Sequence, residues 1–312
     1  MRICVSGANG FVGRDLCASL SADGHGVVRT VRDKSQGDIA VGHIGPDTDW
    51  RGALGGCDAV VHLAARVHVM HEKAADPLTE FWKINVGGTR SLAQQAAKEG
   101  VKRFIFLSTI KVLGEGQVTP YRADDPPAPV DAYAISKWEA EKLLADIAAE
   151  TGMEVVILRP PLVYGQGVKG NFFSLMRAVD RGLPLPLGAI HNQRSLIYLG
   201  NLVDAIRVGL SHPAAAGKVF MVSDGEDVST PELARRVAAA LGRPALLLPV
   251  SVAWMRWAGR LLGRRAAVER LIGSLAVDIK YIQNDLGWSP PFSMQSGIAA
   301  TAAWYRKMGA GL

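Results

Sequence analysis

The chain has 312 residues, a length that suits one large domain or one domain with a smaller dependent lobe. Its 48% hydrophobic and 21% charged residues are ordinary globular composition and exclude a disordered chain. The net charge of +6 suits an anionic ligand, and because the basic residues form no dense run we expect no nucleic-acid partner.

Cysteine and histidine positions do not suggest a metal site. Cys4, Cys17 and Cys57 match neither a zinc site nor a disulfide framework, and the patterns around Cys4 and Cys17 predict small core residues. His68 and His71 are close in sequence, but no Cys or carboxylate completes a ligand set, so we expect no metal.

The N-terminal residues MRICVSGANG lack the features of a signal peptide. No apolar run reaches the roughly 20 residues that a transmembrane helix needs. We therefore expect a cytoplasmic protein without a transmembrane segment.

Through the first 160 residues, short β-branched runs alternate with helical patterns. Predicted strands cover 3–6, 27–31, 39–44, 59–63, 103–107 and 155–158, and predicted helices cover 11–22, 78–98 and 132–150. Apolar strands alternating with helices predict an α/β fold, a Rossmann-like doubly wound parallel sheet covered on both faces. Apolar stripes on the two longer helices would also permit a homodimer.

Prolines and glycines become dense after residue 159, and shorter helices follow at 201–210, 231–241 and 296–305. We predict a dinucleotide-binding domain over 1–160. Residues 161–312 are mostly a smaller, interwoven C-terminal substrate-binding lobe, with part of 195–210 returning to the first domain.

Residues 254–265, WMRWAGRLLGRR, form a cationic amphipathic segment. Such a segment suits a membrane surface or a partner interface. We favour the simpler prediction that its Trp and Leu side chains pack on the C-terminal lobe.

Three glycines in SGANGFVG follow the first strand and open the first helix. Gly7 permits a tight turn, Gly10 lets backbone approach a pyrophosphate, and Gly13 lets the helix pack closely on the sheet. The helix N-terminus offers free N–H groups and a positive dipole end to phosphates. This pattern predicts a dinucleotide site.

The residue at the end of the second strand determines the preference for NAD or NADP. An acidic side chain there bonds the ribose 2′-OH of NAD, whereas arginine accommodates the 2′-phosphate of NADP. Val31 stands where the acid is expected, and Arg29 and Arg32 flank it. Asp33 follows and still suits NAD. The residues favour NADP over NAD.

A Tyr and a Lys four residues apart, Tyr133 and Lys137, share one face of a predicted helix. An ammonium beside a phenol lowers the phenol's pKa, so the pair can exchange a proton with a sugar hydroxyl or ketone. Ser108 and Thr109 end the fifth strand, where ligands of parallel sheets bind, and one of them can bond the reacting oxygen.

The chain resembles extended short-chain dehydrogenases/reductases that act on nucleotide sugars: UDP-sugar 4-epimerases, 4,6-dehydratases and 4-ketoreductases. The resemblance covers nearly the whole chain and is nearest to UDP-sugar 4-epimerases and to 4-reductases of UDP-4-keto-6-deoxy-N-acetylhexosamines. It rests on GANGFVG, HLAA (62–65), INVGGT (84–89), FLSTIKVLG, YAISK, LRPPLVYG (158–165), RSLIYLGNLVDAI (194–206) and LGW (286–288).

The resemblance implies roles for individual residues. It makes Thr109, with Ser108 beside it, the catalytic hydroxyl, Tyr133 and Lys137 the proton-transfer pair, and Asn171 and Arg194 the residues that hold the substrate diphosphate. Arginine suits that role as a charge-assisted phosphate clamp. The implied cofactor-binding residues are Gly7, Asn9, Gly10, Phe11, Val12, Gly13, Arg32, Ile44, Leu63, Ala64, Ala65, Asn85, Tyr133, Lys137, Pro160 and Val163.

Three departures from the family pattern bear on the substrate and cofactor. Leu113 replaces a tyrosine, Leu162 replaces an asparagine that often contacts the diphosphate in epimerases, and Val31 replaces the acidic NAD-binding residue. Each weakens a direct assignment as a UDP-glucose 4-epimerase. Ile110 and Lys111 stand where 4,6-dehydratases carry an acidic pair, which disfavours dehydration.

Two enzymatic functions and one non-enzymatic function follow. We prefer a 4-ketoreductase that uses NADPH to reduce C4 of a UDP-4-keto sugar while Tyr133 gives the proton. The alternative is a UDP-sugar 4-epimerase, in which Tyr133 takes the O4 proton and hydride leaves and returns at C4. The third is a non-catalytic dinucleotide-binding protein, which the intact Thr109, Tyr133 and Lys137 disfavour.

Overall fold

The computed structural model describes residues 1–33, 39–67, 77–117 and 119–309. His68 and His71 lie outside the described residues. The strands are β1 Arg2–Ser6, β2 Gly26–Val31, β3 Ile39–Ala40, β4 Ala59–His62, β5 Arg103–Leu107, β6 Glu154–Arg159, β7 Leu162–Tyr164, β8 Arg194–Tyr198, β9 Val219–Met221 and β10 Asp227–Val228. The α-helices are α1 Phe11–Ala22, α2 Arg51–Leu54, α3 Pro77–Phe81, α4 Gly88–Lys98, α5 Ala132–Thr151, α6 Gly170–Asp180, α7 Leu199–Ser211, α8 Thr230–Leu241, α9 Val252–Leu261, α10 Arg265–Ile272, α11 Lys280–Leu286 and α12 Met294–Gly309.

A seven-stranded sheet in the order β3-β2-β1-β4-β5-β6-β9 forms the centre of the molecule, and its neighbouring strands all pair in parallel. Alternate residues of each strand enter different cores because side chains alternate across a strand. Ile3 and Val5 lie in one apolar cluster, and Cys4 lies in the cluster on the opposite face. The predicted doubly wound parallel sheet is confirmed, as is the burial of Cys4 and Cys17.

The C-terminal half contributes to this sheet as well as forming its own layer. The helix α7 places Leu202 and Ile206 in the core cluster that also contains Ile3 and Val5. The strand β9 extends the sheet beside β6, a contribution that the sequence analysis did not anticipate. A second sheet, β10-β8-β7, packs with α6, α8 and α12 around a separate apolar cluster.

The predicted strand over 39–44 was wrong in extent. Only Ile39 and Ala40 pair with β2, because Gly42 adopts φ +66° and turns the chain away from the sheet edge. His43 and Ile44 beyond that turn line a cavity instead of extending the strand.

The helix predicted over 78–98 is interrupted by a π-helical segment, Trp82–Gly87, between α3 and α4. A Cβ on Gly87 would lie 2.7 Å from the Pro46 ring, and one on Gly88 would lie 2.4 Å from Ile44 Cγ2. The two glycines therefore let the loop around residue 45 approach the helix closely. Segments of π-helix occur frequently at functional sites, and this one carries Asn85.

The prediction that residues 254–265 pack their Trp and Leu side chains on the lobe was wrong. The helix α9 ends near Gly263, whose φ is +64°. Trp254, Trp257 and Leu261 are each more than half exposed. None of the helices in the part of the chain that the structure describes is long and apolar enough to cross a membrane.

Candidate functional site

The glycine turn joins β1 to α1. Gly7 has φ +72° and its carbonyl accepts a hydrogen bond from Gly10 N at 2.9 Å. A Cβ on Gly13 would lie 2.2 Å from Gly7 O, and one on Gly7 would lie 2.9 Å from Ala64 N. The turn therefore admits no side chain at these positions, and the first turn of α1 carries no acidic residue that would repel a phosphate.

A cavity of about 630 Å³ opens above this turn, outside the carboxyl ends of β1 and β4, where the strand order reverses. Twelve of the predicted cofactor residues line it: Gly7, Asn9, Gly10, Phe11, Val12, Gly13, Arg32, Ile44, Leu63, Ala64, Ala65 and Tyr133. Its residues fit a dinucleotide, because the cradle is backbone and small side chains. No aspartate or glutamate is among the described residues that line the cavity.

Four of the predicted cofactor residues are not among those lining residues: Asn85, Lys137, Pro160 and Val163. Val163 packs at the edge of the main core. Pro160 accepts a hydrogen bond from Ile110 N at 3.0 Å through its carbonyl oxygen, which fixes the turn after β5.

A buried chain of hydrogen bonds fixes the segment that follows β4. Thr89 Oγ1 donates to Asn85 O at 2.6 Å, so it accepts from His62 Nε2 at 2.9 Å. His62 Nδ1 then accepts from Ser6 Oγ at 2.5 Å, and Ser6 Oγ accepts from Leu63 N at 3.2 Å. Burial lowers the pKa of His62 to about 3, which keeps this imidazole neutral.

Asn85 links that chain to the helix that carries the Tyr and Lys pair. Its Oδ1 accepts from Arg66 N at 2.8 Å, and its Nδ2 donates to Arg66 O at 3.0 Å and to Ser136 Oγ at 2.9 Å. Ser136 Oγ in turn donates to Tyr133 O at 2.8 Å. Asn85 therefore fixes the position of Arg66, which lines the cavity, relative to the backbone of Tyr133.

Tyr133 lines the cavity, and its ring contacts Phe81 edge-on with centroids 6.2 Å apart. Burial, followed by the nearby Asp131 carboxylate, raises the pKa of Tyr133 above that of a free phenol. Burial dominates, so the net shift is opposite to the lowering that we expected from Lys137. A positive charge brought into the cavity would favour the phenolate of Tyr133.

Lys137 is 2% exposed, and its Nζ lies 3.7 Å from the centroid of the Phe106 ring. Burial lowers the pKa of this ammonium to about 7, and Glu141 opposes that shift. Lys137 can therefore gain and lose a proton near neutral pH, a property that suits a proton-transfer site.

The two strand-end hydroxyls have different surroundings. Ser108 Oγ donates to Glu141 Oε1, and Glu141 is held by a buried ion pair with Arg159 at 2.6 Å. Thr109 Oγ1 accepts from Lys111 N at 3.3 Å and donates to no described residue. The hydroxyl hydrogen of Thr109 therefore has no acceptor among the described residues, whereas that of Ser108 is engaged. Of the two residues, Ser108 lines the first cavity and Thr109 is not among its lining residues.

A second cavity of about 390 Å³ lies in the C-terminal lobe, and both predicted substrate residues, Asn171 and Arg194, line it. Arg194 Nη1 donates to Arg270 O at 2.6 Å and to Gly273 O at 3.1 Å. Arg270 also lines the cavity, and its buried Nε has no hydrogen-bond partner among the described residues. Two arginines therefore line one largely apolar cavity, and such a pair of residues suits a diphosphate.

Several lining residues were not predicted from the sequence. Gly167 and Lys169 reach the first cavity from the C-terminal half, and His43 reaches it from the loop after β3. Arg270 lies 76 residues after Arg194 and had no motif around it. The glycine density of 165–170 was the one local signal that pointed to a ligand-approaching loop there.

Comparisons with known proteins agree with this geometry. Residues 3–223 match the model of the NAD dependent epimerase/dehydratase family. A Vibrio cholerae protein named UDP-glucose 4-epimerase is 47% identical over 96% of this chain and 94% of its own. An Escherichia coli O157:H7 protein named N-acetyl-alpha-D-glucosaminyl-diphospho-ditrans,octacis-undecaprenol 4-epimerase is 28% identical over 96% of this chain and 93% of its own. A solved structure, MoeE5 in complex with UDP-glucose and NAD, superposes with a TM-score of 0.79 at 25% identity, covering 99% of both chains.

Proposed function

The chain belongs to the NAD dependent epimerase/dehydratase family, and we propose that it is a 4-epimerase of a UDP-hexose or UDP-N-acetylhexosamine. The observation that carries the proposal is the 47% identity, across nearly the whole chain, to a relative named UDP-glucose 4-epimerase. The chain is an enzyme of the extended short-chain dehydrogenase/reductase type, so the non-catalytic alternative is not supported.

The comparisons do not support the earlier preference for a 4-ketoreductase. That preference depended on Val31, Leu113 and Leu162, which depart from the epimerase pattern, and on the likeness to reductases of UDP-4-keto-6-deoxy-N-acetylhexosamines. The relative at 47% identity is named a 4-epimerase. Departures at single positions weigh less than likeness along the whole chain.

The catalytic roles that we propose combine the family pattern with the surroundings of three side chains, of which Tyr133 lines the first cavity. When bound, a nicotinamide would take hydride from C4 of the sugar and return it, and its oxidised ring would bring a positive charge into the cavity. Tyr133 would remove the O4 proton and later give it back, and Lys137 would favour the phenolate. Thr109 would donate a hydrogen bond to O4, while Ser108 would position the turn through Glu141.

The second cavity would hold the nucleotide part of the substrate. Arg194 and Arg270 would bind the diphosphate through charge-assisted hydrogen bonds. Asn171, at the start of α6, would add an amide contact. With the diphosphate fixed there, the sugar can turn at the catalytic residues and present either face of C4.

For the cofactor, we propose that the first cavity accepts NADP as well as NAD. Arg32 lines the cavity, and no carboxylate among its described lining residues would repel a 2′-phosphate. The structural relative MoeE5 is described with NAD bound. The homodimer expected from the sequence stays a prediction.

The proposal is tested with purified protein and no added cofactor. We expect UDP-glucose to convert to UDP-galactose, and UDP-N-acetylglucosamine is assayed in parallel. Tyr133→Phe should lose roughly 10²- to 10⁴-fold in turnover while keeping its bound nucleotide. Tyr281→Phe, on an exposed part of α11, is the matched control. Stoichiometric consumption of NADPH with a 4-keto sugar, and no epimerisation, would instead establish the reductase.

A further inference from the structure

The helix α9 presents a continuous apolar face to solvent. At roughly 100° per residue, Trp254, Trp257 and Leu261 share one side of the helix. They are 65%, 56% and 68% exposed, and the two indole rings touch edge-on with centroids 5.3 Å apart. Leu262, just past the end of the helix, is 72% exposed. Single exposed apolar residues are ordinary, but a contiguous aromatic and aliphatic patch marks an interaction site.

The opposite side of α9 holds the helix firmly on the C-terminal lobe. Met255 is buried in a cluster with Leu187 and Ile190. Gly259 lies so close to α10 that a Cβ there would approach Val268 Cγ2 to 2.6 Å. The exposure of the indoles is therefore a property of a packed helix pair.

Positive charge borders the apolar face. Residues 251–272 contain five arginines and one glutamate. That glutamate, Glu269, pairs with Arg256 at 3.1 Å. Arg260, Arg264 and Arg265 are exposed, and the structure gives them no ion pair with any described residue. Most of the chain's net charge of +6 is thus concentrated at this helix pair.

We propose that α9 and the start of α10 form a peripheral docking site for an anionic phospholipid surface. Tryptophan prefers the boundary between headgroups and acyl chains, where its apolar ring is buried and its N–H remains hydrated. A short helix with such a face and neighbouring arginines lies in the plane of that boundary. The unpaired guanidinium groups meet the lipid phosphates.

A second copy of the chain fits this surface less well. Symmetric pairing would place the same patch on both partners. It would then bring the exposed Arg260, Arg264 and Arg265 of each copy together without a compensating acid nearby. Charge complementarity therefore favours lipid over self-association.

The docking surface adjoins the second cavity. Helix α10 packs on α9 and gives Ala267, Arg270 and Leu271 to the wall of that cavity. Membrane contact would thus be made by the same helix pair that borders the proposed substrate site. The inference goes beyond the proposed 4-epimerase activity, because lipid binding is measured without turnover.

The experiment is flotation of the purified full chain with phosphatidylcholine vesicles that contain about one third phosphatidylglycerol, a content that gives a negative surface potential. We expect the protein to float with these vesicles, to float much less with pure phosphatidylcholine, and to be released by high salt. Trp254→Ser with Trp257→Ser should weaken binding at least about tenfold.

A charge-reversal pair separates electrostatics from folding. Arg260→Glu with Arg264→Glu should abolish the preference for anionic vesicles. Arg90→Glu with Lys98→Glu reverses the same number of exposed charges on α4 and should bind as the unmodified protein does. Circular dichroism and UDP-sugar turnover identify any variant that fails to fold.

The proposal is overturned if the unmodified protein does not float, or if the tryptophan double variant floats equally well. It is also overturned if the α4 variant loses as much vesicle binding as Arg260→Glu with Arg264→Glu, since binding would then depend only on net charge. Concentration-dependent self-association that the tryptophan substitutions abolish, without vesicle binding, would assign the patch to a second copy. None of these results affects the epimerase assay, so the two proposals fail separately.

Discussion

Lys111 Nζ lies 2.9 Å from Asp131 Oδ2, and this ion pair connects the turn that carries Thr109 to the helix that carries Tyr133. Asp131 also caps α5, because its Oδ1 accepts from Ala134 N at 2.7 Å. The distance between the proposed hydroxyl donor, Thr109, and the proposed proton-transfer residue, Tyr133, therefore depends on the Lys111–Asp131 ion pair.

Lys111→Met should lower kcat by about tenfold, because loss of the pair loosens the geometry on which proton transfer depends. KM should change little, since the second cavity is untouched. The control is Arg122→Met, which removes an ion pair with Asp124. That pair is more exposed, so it contributes less to local order than the Lys111 pair does. If Lys111→Met raises KM instead and spares kcat, the pair does not position the catalytic groups.

Arg270→Gln tests the second cavity. Loss of one charge-assisted hydrogen bond to a phosphate costs about 2 kcal/mol, or roughly thirtyfold in affinity. We expect KM for the UDP-sugar to rise by that factor while nucleotide cofactor stays bound. Arg270 is the better choice for this test than Arg194, whose guanidinium also supports backbone carbonyls.

The matched control is Arg243→Gln, just beyond the C-terminal end of α8, where this exposed arginine pairs with Asp180. Its KM should equal that of the unmodified enzyme. An unchanged KM in Arg270→Gln would mean that this cavity does not bind the diphosphate.

Arg32→Ala tests the cofactor proposal. Removal of the guanidinium should weaken NADP by about tenfold, because a 2′-phosphate loses its charge-assisted partner. NAD, which lacks that phosphate, should bind within about twofold of its original affinity. Equilibrium titration of nucleotide-free protein gives both constants, and equal losses for the two cofactors would place Arg32 elsewhere in the cavity.

His62 makes the fold sensitive to acid. Its pKa in the folded chain is about 3, well below the ordinary value of 6.5, so between these values only the unfolded chain gains the proton. Stability is therefore unaffected above about pH 6.5 and falls by up to about 1.4 kcal/mol per pH unit below it. Lys137 adds little in this range, because below its folded pKa of about 7 it is increasingly protonated in both states.

Urea unfolding between about pH 6.5 and 5 measures this slope, a range chosen above the ordinary pKa of carboxylates. His62→Asn should be less stable at neutral pH, since the Ser6 to Thr89 chain is broken, but its stability should depend less on pH. Identical slopes in the two proteins would mean that His62 is not the group responsible.

Local sequence was sufficient for the first half of the site. The strand, glycine turn and helix of residues 2–22 are contiguous, so spacing alone predicted their geometry. The same holds for Tyr133 and Lys137 on one helix. What spacing could not show is the environment: burial raises the pKa of Tyr133, whereas the neighbouring lysine had suggested the opposite.

Features that depend on distant contacts were missed. The π-segment arises where Gly87 and Gly88 meet the loop near residue 45, and the Arg194 side chain reaches the backbone carbonyl of Arg270, 76 residues away. The three residues of β9 are too few to show a period. The apolar residues on the exposed face of α9 have the same spacing as a stripe that faces a core. The sequence alone therefore could not predict which face of the helix other elements cover.

The central claim is that hydrogen leaves C4 of the sugar and returns to the same carbon. UDP-glucose with deuterium at C4, incubated with the purified protein and no added cofactor, should yield UDP-galactose that retains the deuterium, as read by NMR and mass spectrometry. Loss of the deuterium to solvent, or no product until a reduced cofactor and a 4-keto sugar are supplied, would contradict the account.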